Sequence, residues 1–193
     1  MRKSMFGLAL GLATLGGNLA LSAPAHAAIQ WRNFASNVCL AVAGASQNIG
    51  ASVIVATCEA SPSASQRWYS SNVPNTGYYY FDSGLFTGSA PDKVIGVAQG
   101  VMNNGTSLIT WTKQTTSAGY NQQWEWVSAF SDGNGNSCYY FKNRASPANT
   151  TKVMGVLGGV RNPGTAVGIW DWFKTSSGGP DFNGHPDQYW CVY

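Results

Sequence analysis

One pattern occurs three times along this chain in a shared register, and no other feature restricts its fold as much. Anchored on Cys39-Leu40-Ala41-Val42, the pattern returns at Val94-Ile95-Gly96-Val97 and at Val153-Met154-Gly155-Val156. Eleven residues past each anchor stands a glycine (Gly50, Gly105, Gly164), and fourteen past it an aliphatic residue (Val53, Leu108, Val167). An aromatic segment precedes each anchor, at 29–33, 78–82 and 139–143. Each unit closes on Gln-x-Trp: Gln66-Arg67-Trp68, Gln122-Gln123-Trp124 and Gln188-Tyr189-Trp190.

The units run over about 29–70, 78–127 and 138–193, and each reads as four short strands: the aromatic segment, the anchor, the stretch after the glycine, and the Trp strand. Helical periodicity is nowhere sustained. The glycines suit hairpin turns, helped by Asn104 and Asn162. Segments 61–65, 75–77, 132–137 and 176–184 are rich in Gly, Ser, Asn and Pro and read as surface loops. A unit of this size cannot bury its own apolar face, so the three must share one core. The expectation is an all-β domain closed with pseudo-threefold symmetry, which leaves few free sheet edges.

Residues 1–27 read as an export leader: Arg2 and Lys3 precede an apolar run from Met5 to Leu21, and Ala25-His26-Ala27 fits a small-x-small cleavage site. Cleavage after Ala27 leaves residues 28–193 as one secreted, extracellular domain, with no second apolar run long enough for a transmembrane anchor. Losing Arg2 and Lys3 takes the formal charge from +3 to +1, with no Lys/Arg run, so nucleic acid is a poor partner. Export also places the four cysteines, Cys39, Cys58, Cys138 and Cys191, where disulfides persist, and the even count reads as two bridges.

Three Gln-x-Trp closers in one register, each preceded by an anchor, a turn glycine and an aliphatic strand, resemble the ricin-type β-trefoil lectins over nearly the whole mature chain. The resemblance implies a twelve-stranded trefoil that binds galactose-type or related sugars at up to one shallow site per repeat, usually as a targeting module. The spacing of Cys39 and Cys58 resembles the family's bridge within a repeat, and a trefoil brings the strands of Cys138 and Cys191 side by side.

A sugar site needs a flat aromatic face and a few fixed hydrogen-bonding groups. By the resemblance these come from an aromatic at the end of the third strand, a polar residue before the Gln of Gln-x-Trp, that Gln, and an Asp in the anchor. The matching residues are Trp111, Asn121 and Gln122 in the second repeat and Trp170, Asp187 and Gln188 in the third. The first repeat offers Ala56, Ser65 and Gln66, has no stacking face, and is expected not to bind. All three anchors depart from the family, with Ala41, Gly96 and Gly155 in the Asp position. Trp68, Trp124 and Trp190 read as shared core, and the three glutamines as ties to loop backbone or as ligand contacts. In the position of Cys58 stand Lys113, its stem on Val94, and Trp172, whose packing on Val153 replaces the bridge.

Enzyme readings find little footing. His185 is the sole histidine after cleavage, no serine sits in a nucleophile elbow, and Asp82, Asp92, Glu125 and Asp132 show no pairing pattern. No cofactor or metal is expected. Asp181, His185 and Asp187 read as a polar loop, while Asp132, Asn134 and Asn136 start like a calcium loop that fails at Ser137 and Asn143, leaving a turn between repeats. Asn104-Gly105-Thr106 and Asn149-Thr150-Thr151 are glycosylation sequons. Three functions stand open: a secreted non-catalytic lectin of low affinity per site, the cell-binding subunit of a multicomponent toxin with a catalytic partner subunit, and a glycosidase with an unrecognised carboxylate pair.

Overall fold

The computed structural model describes residues 27–85, 92–160, 162–173, 181 and 184–193; the expected leader, apart from Ala27, and most of the loop expected over 176–184 lie outside them. The described chain forms twelve strands. The first repeat supplies β1 (Trp31–Asn33), β2 (Val38–Val42), β3 (Val53–Thr57) and β4 (Trp68–Asn72). The second supplies β5 (Tyr78–Ser83), β6 (Lys93–Val97), β7 (Leu108–Thr112) and β8 (Trp124–Ser131), and the third β9 (Ser137–Asn143), β10 (Lys152–Val156), β11 (Val167–Asp171) and β12 (Trp190–Val192). Among the described residues no helix is long and apolar enough to cross a membrane.

Antiparallel pairing runs β4-β5-β8-β9-β12-β1, and backbone bonds between Ile29 and Trp68 at 2.7 and 2.9 Å close the circle into a six-stranded barrel. The remaining strands form three hairpins, β2-β3, β6-β7 and β10-β11, that cap one end: a β-trefoil. The hairpins grip one another head to tail. Gly50 N donates to Thr110 O at 2.8 Å, Gly105 N to Ile169 O at 2.9 Å, and Gly164 N to Val55 O at 2.7 Å. These glycines have φ of 83°, 85° and 94°, a region that a β-carbon disfavours, which explains why the repeat keeps glycine there.

The core follows the repeat. Trp31, Phe81 and Phe141 meet on the barrel axis with ring centroids 4.8–6.0 Å apart in edge-on geometry. Trp68, Trp124 and Trp190 are fully buried, and their indole N–H groups donate to Leu40, Ile95 and Met154 carbonyls at 3.0–3.2 Å, so each closing Trp ties the barrel to the anchor strand of its own repeat. Trp126 breaks the symmetry by stacking on Phe81 at 5.3 Å and meeting Trp31 edge-on at 5.0 Å.

Both disulfides are formed, Cys39–Cys58 and Cys138–Cys191, the second between directly opposed residues of β9 and β12. The position of Cys58 is fastened differently in each repeat. Lys113 forms ion pairs with Asp82 and Asp92, 3.0 Å from the latter. Burial opposes the charge on Lys113, but the hydrogen bond and Coulomb attraction of Asp82, with Asp92, outweigh it and raise its pKa. Trp172 lies flat on Tyr140 at 4.7 Å and packs with Val153.

Candidate functional site

Two clefts sit at equivalent places in the second and third repeats. Trp111 is the fourth residue of β7, directly opposite Val94, and Trp170 is the fourth of β11, opposite Val153. Alternation along the strand buries Thr110 and Ile169 and turns the tryptophans outward, 41% and 39% exposed. Each ring rests its edge on the turn of the preceding repeat: a β-carbon at Gly50 would lie 3.9 Å from Trp111 Cζ3, and one at Gly105 3.6 Å from Trp170 Cζ3. Ala56 holds the same place in the first repeat, and the space beside Gly164 is open.

In the second repeat Trp111, Asn121, Gln122 and Gly96 line a cleft of about 600 Å3, with the turn Ala98–Gly100 as one wall. In the third, Trp170, Asp187, Gln188 and Gly155 line one of about 360 Å3, walled by Leu157–Gly159. The sequence-derived residues of each repeat thus come together around one cavity. Gln99 holds φ 54° in the wall of the second cleft where the other repeats place Gly44 and Gly158, local strain of about 1 kcal/mol or more.

The glutamines are buried ties. Gln122 Nε2 donates to Thr112 O at 2.9 Å while its Oε1 accepts from Gln114 N at 2.8 Å. Gln188 repeats this with Asp171 O at 2.8 Å and Phe173 N at 3.2 Å, and Gln66 with Thr57 O at 2.8 Å and Glu59 N at 3.2 Å. Each pins the chain leaving the third strand; Gln122 and Gln188 keep one lone pair and one N–H for a ligand, whereas Gln66 spends its own on Gln30 Nε2 at 2.8 Å and Glu59 Oε1 at 3.3 Å. Asn121 is held by Nδ2 on Val97 O at 3.0 Å and by Asn143 Nδ2 on its carbonyl at 3.0 Å.

The anchor glycines form the bare floors. Neither Gly96 nor Gly155 has a positive φ. A β-carbon at Gly96 would meet Gln122 Cγ at 3.0 Å and Asn121 Nδ2 at 3.5 Å; one at Gly155 would meet Gln188 Cγ at 3.3 Å and Asp187 Oδ2 at 3.4 Å. The third cleft therefore already has a carboxylate over the place where the anchor acid is missing. Its further wall is Phe173 stacked on His185, centroids 3.5 Å apart, a pair the sequence reading did not single out for this role.

No protein-family profile matches the sequence, and no curated protein does. Solved structures match at the level of fold. A designed threefold-symmetric protein, ThreeFoil, superposes with a TM-score of 0.63 at 23% identity, over 86% of this chain and 96% of that one. An exo-β-1,3-galactanase from Clostridium thermocellum gives 0.66 at 22%, over 88% of this chain but 30% of the enzyme. The C-terminal half of an earthworm R-type lectin, in complex with GalNAc, gives 0.55 at 13%, over 86% of this chain and 96% of the lectin. The fold is a β-trefoil, the fold these solved structures share.

Proposed function

We propose that this trefoil is a secreted, non-catalytic carbohydrate-binding protein with two sites, one in the second repeat and one in the third. The observation that carries the reading is the pairing, twice over and at equivalent positions, of an outward tryptophan face with a fixed polar residue across a shallow cleft, Trp111 with Asn121 and Trp170 with Asp187. A pyranose would stack its C–H face on the indole and direct hydroxyls at Asn121 or Asp187, with Gln122 and Gln188 holding the floor. A galactose-type sugar is the first candidate, since the earthworm lectin of the same fold is in complex with GalNAc.

The cleft walls support binding without catalysis. Among the described residues the second cleft has no titratable side chain in its lining and the third has one carboxylate, Asp187, where glycoside hydrolysis normally employs two. The galactanase is matched over less than a third of its length, so its activity does not transfer to this chain. Two sites per chain would raise modest affinity to useful avidity on a multivalent surface. A glycan array on residues 28–193 tests the reading: retention of galactose-type glycans, lost in Trp111→Ala/Trp170→Ala, supports it. Retention unchanged in that variant overturns it, and no retention of any glycan moves the role to a toxin's cell-binding subunit.

A further inference from the structure

We infer that Asn104, in the second repeat, is a positioning residue for the binding site of the third. Its side chain spans the repeat boundary. Asn104 Nδ2 donates to Asp171 Oδ2 at 2.8 Å, while its Oδ1 accepts from Asp171 N at 3.0 Å and from Lys152 Nζ at 2.7 Å. Lys152 completes the triangle on Asp171 Oδ1 at 2.7 Å and is itself buried. Asp171 follows Trp170 in β11, and Gly105, the neighbour of Asn104, receives the Trp170 ring edge and donates to Ile169 O. Three consecutive residues, Ile169, Trp170 and Asp171, are thus held by two consecutive residues of another repeat.

The second site lacks this lock. Ile49 stands in the position of Asn104 and is exposed, and Thr112 in that of Asp171, so the clamp on Trp111 is the backbone bond from Gly50 to Thr110 and the ring edge on Gly50. The two platforms therefore differ in how firmly they are set before a ligand arrives. The third loses less side-chain freedom on binding, and that advantage depends on Asn104.

This inference rests on the third cleft being a binding site, and its test has one arm that does not. With 5-fluorotryptophan incorporated, Asn104→Ala should shift and broaden the Trp170 resonance and leave that of Trp111 in place. In a Trp111→Ala background, calorimetry with N-acetylgalactosamine should show roughly 3- to 10-fold weaker binding, the entropy range for one ordered side chain. Asn104→Asp alone opposes two carboxylates and should behave like Asn104→Ala. The exchange Asn104→Asp with Asp171→Asn restores every bond in the triangle and should recover both readouts, and it keeps the test open if the alanine variant fails to fold. An unmoved Trp170 resonance in Asn104→Ala, or no recovery in the exchange, overturns the inference. A parent that binds no sugar fails the binding reading alone, because the fluorine arm still decides the role of Asn104.

Discussion

Gly164 N lies 2.7 Å from Val55 O, and this bond between the third hairpin and the first closes the ring of contacts that makes three repeats one domain. The bonds from Gly50 and Gly105 do the same at the other two boundaries. Because all three glycines sit at positive φ, replacing any one with alanine should cost about 1–2 kcal/mol. Urea titration reads this, and similar losses at 50, 105 and 164 would show that the three joints bear equally.

The two disulfides should differ in their contribution. Cys39–Cys58 spans 19 residues and Cys138–Cys191 spans 53, which on the chain-entropy model gives roughly 3 and roughly 4 kcal/mol. Denaturation of the paired Cys→Ala variants checks the order. A larger loss from the first bridge would show that strand geometry, rather than loop length, dominates.

Most of the trefoil was legible in the sequence because its cause is periodic. The anchors, turn glycines, aliphatic strands and closing tryptophans are the residues that fill one core three times, and all four land at equivalent places. The same register brought Trp111, Asn121 and Gln122 to one cleft and Trp170, Asp187 and Gln188 to the other. What broke the repeat was not legible. Lys113 reaching Asp82 and Asp92 within its own repeat, Trp126 entering the axial cluster, and Asn104 locking Asp171 across a boundary are contacts made once, and a spacing shared by three repeats does not announce a contact made in one. Asn104 was visible as a turn residue and a sequon only.

Restoring the anchor acid should act in opposite directions in the two clefts. At Gly96 the backbone accepts a side chain once Gln122 Cγ, 3.0 Å from the β-carbon, moves by a few tenths of an ångström, and Asn121 Nδ2 stands at 3.5 Å to meet the carboxylate. A charged acceptor for a sugar hydroxyl is worth about 1.5–3 kcal/mol, so Gly96→Asp should tighten a galactose-type ligand about 10- to 100-fold. At Gly155 the β-carbon carrying the new carboxylate would lie 3.4 Å from Asp187 Oδ2, and like-charge repulsion should lower both stability and affinity. Calorimetry with parallel thermal melts separates the cases. A well-folded Gly96→Asp protein with no gain for any monosaccharide would count against a family-type sugar contact at that floor.

Acid should loosen the turn between β8 and β9. Asp132 accepts from Asn136 Nδ2 and from the backbone N–H groups of Asn134 and Asn136, and Tyr193 Oη donates to it at 2.8 Å. The Asn136 side chain leads in holding its carboxyl down to about 2, below the ordinary 3.8. A depressed folded-state pKa stabilises fully above the unfolded value and loses that contribution as pH falls through about 2. The lead in melting temperature of the natural protein over Asp132→Asn should therefore hold near neutrality and shrink from roughly pH 4 downward. A lead independent of pH over that range would assign the effect to shape rather than charge.

The central claim is that Trp111 and Trp170 are the faces on which sugar stacks. Calorimetry of residues 28–193 with N-acetylgalactosamine, compared with Trp111→Ala, Trp170→Ala and both together, tests it directly. The account predicts two sites in the parent, one in each single variant and none in the double variant, with melting temperatures nearly unchanged because both rings are already two-fifths exposed. Binding in the double variant equal to the parent would contradict it.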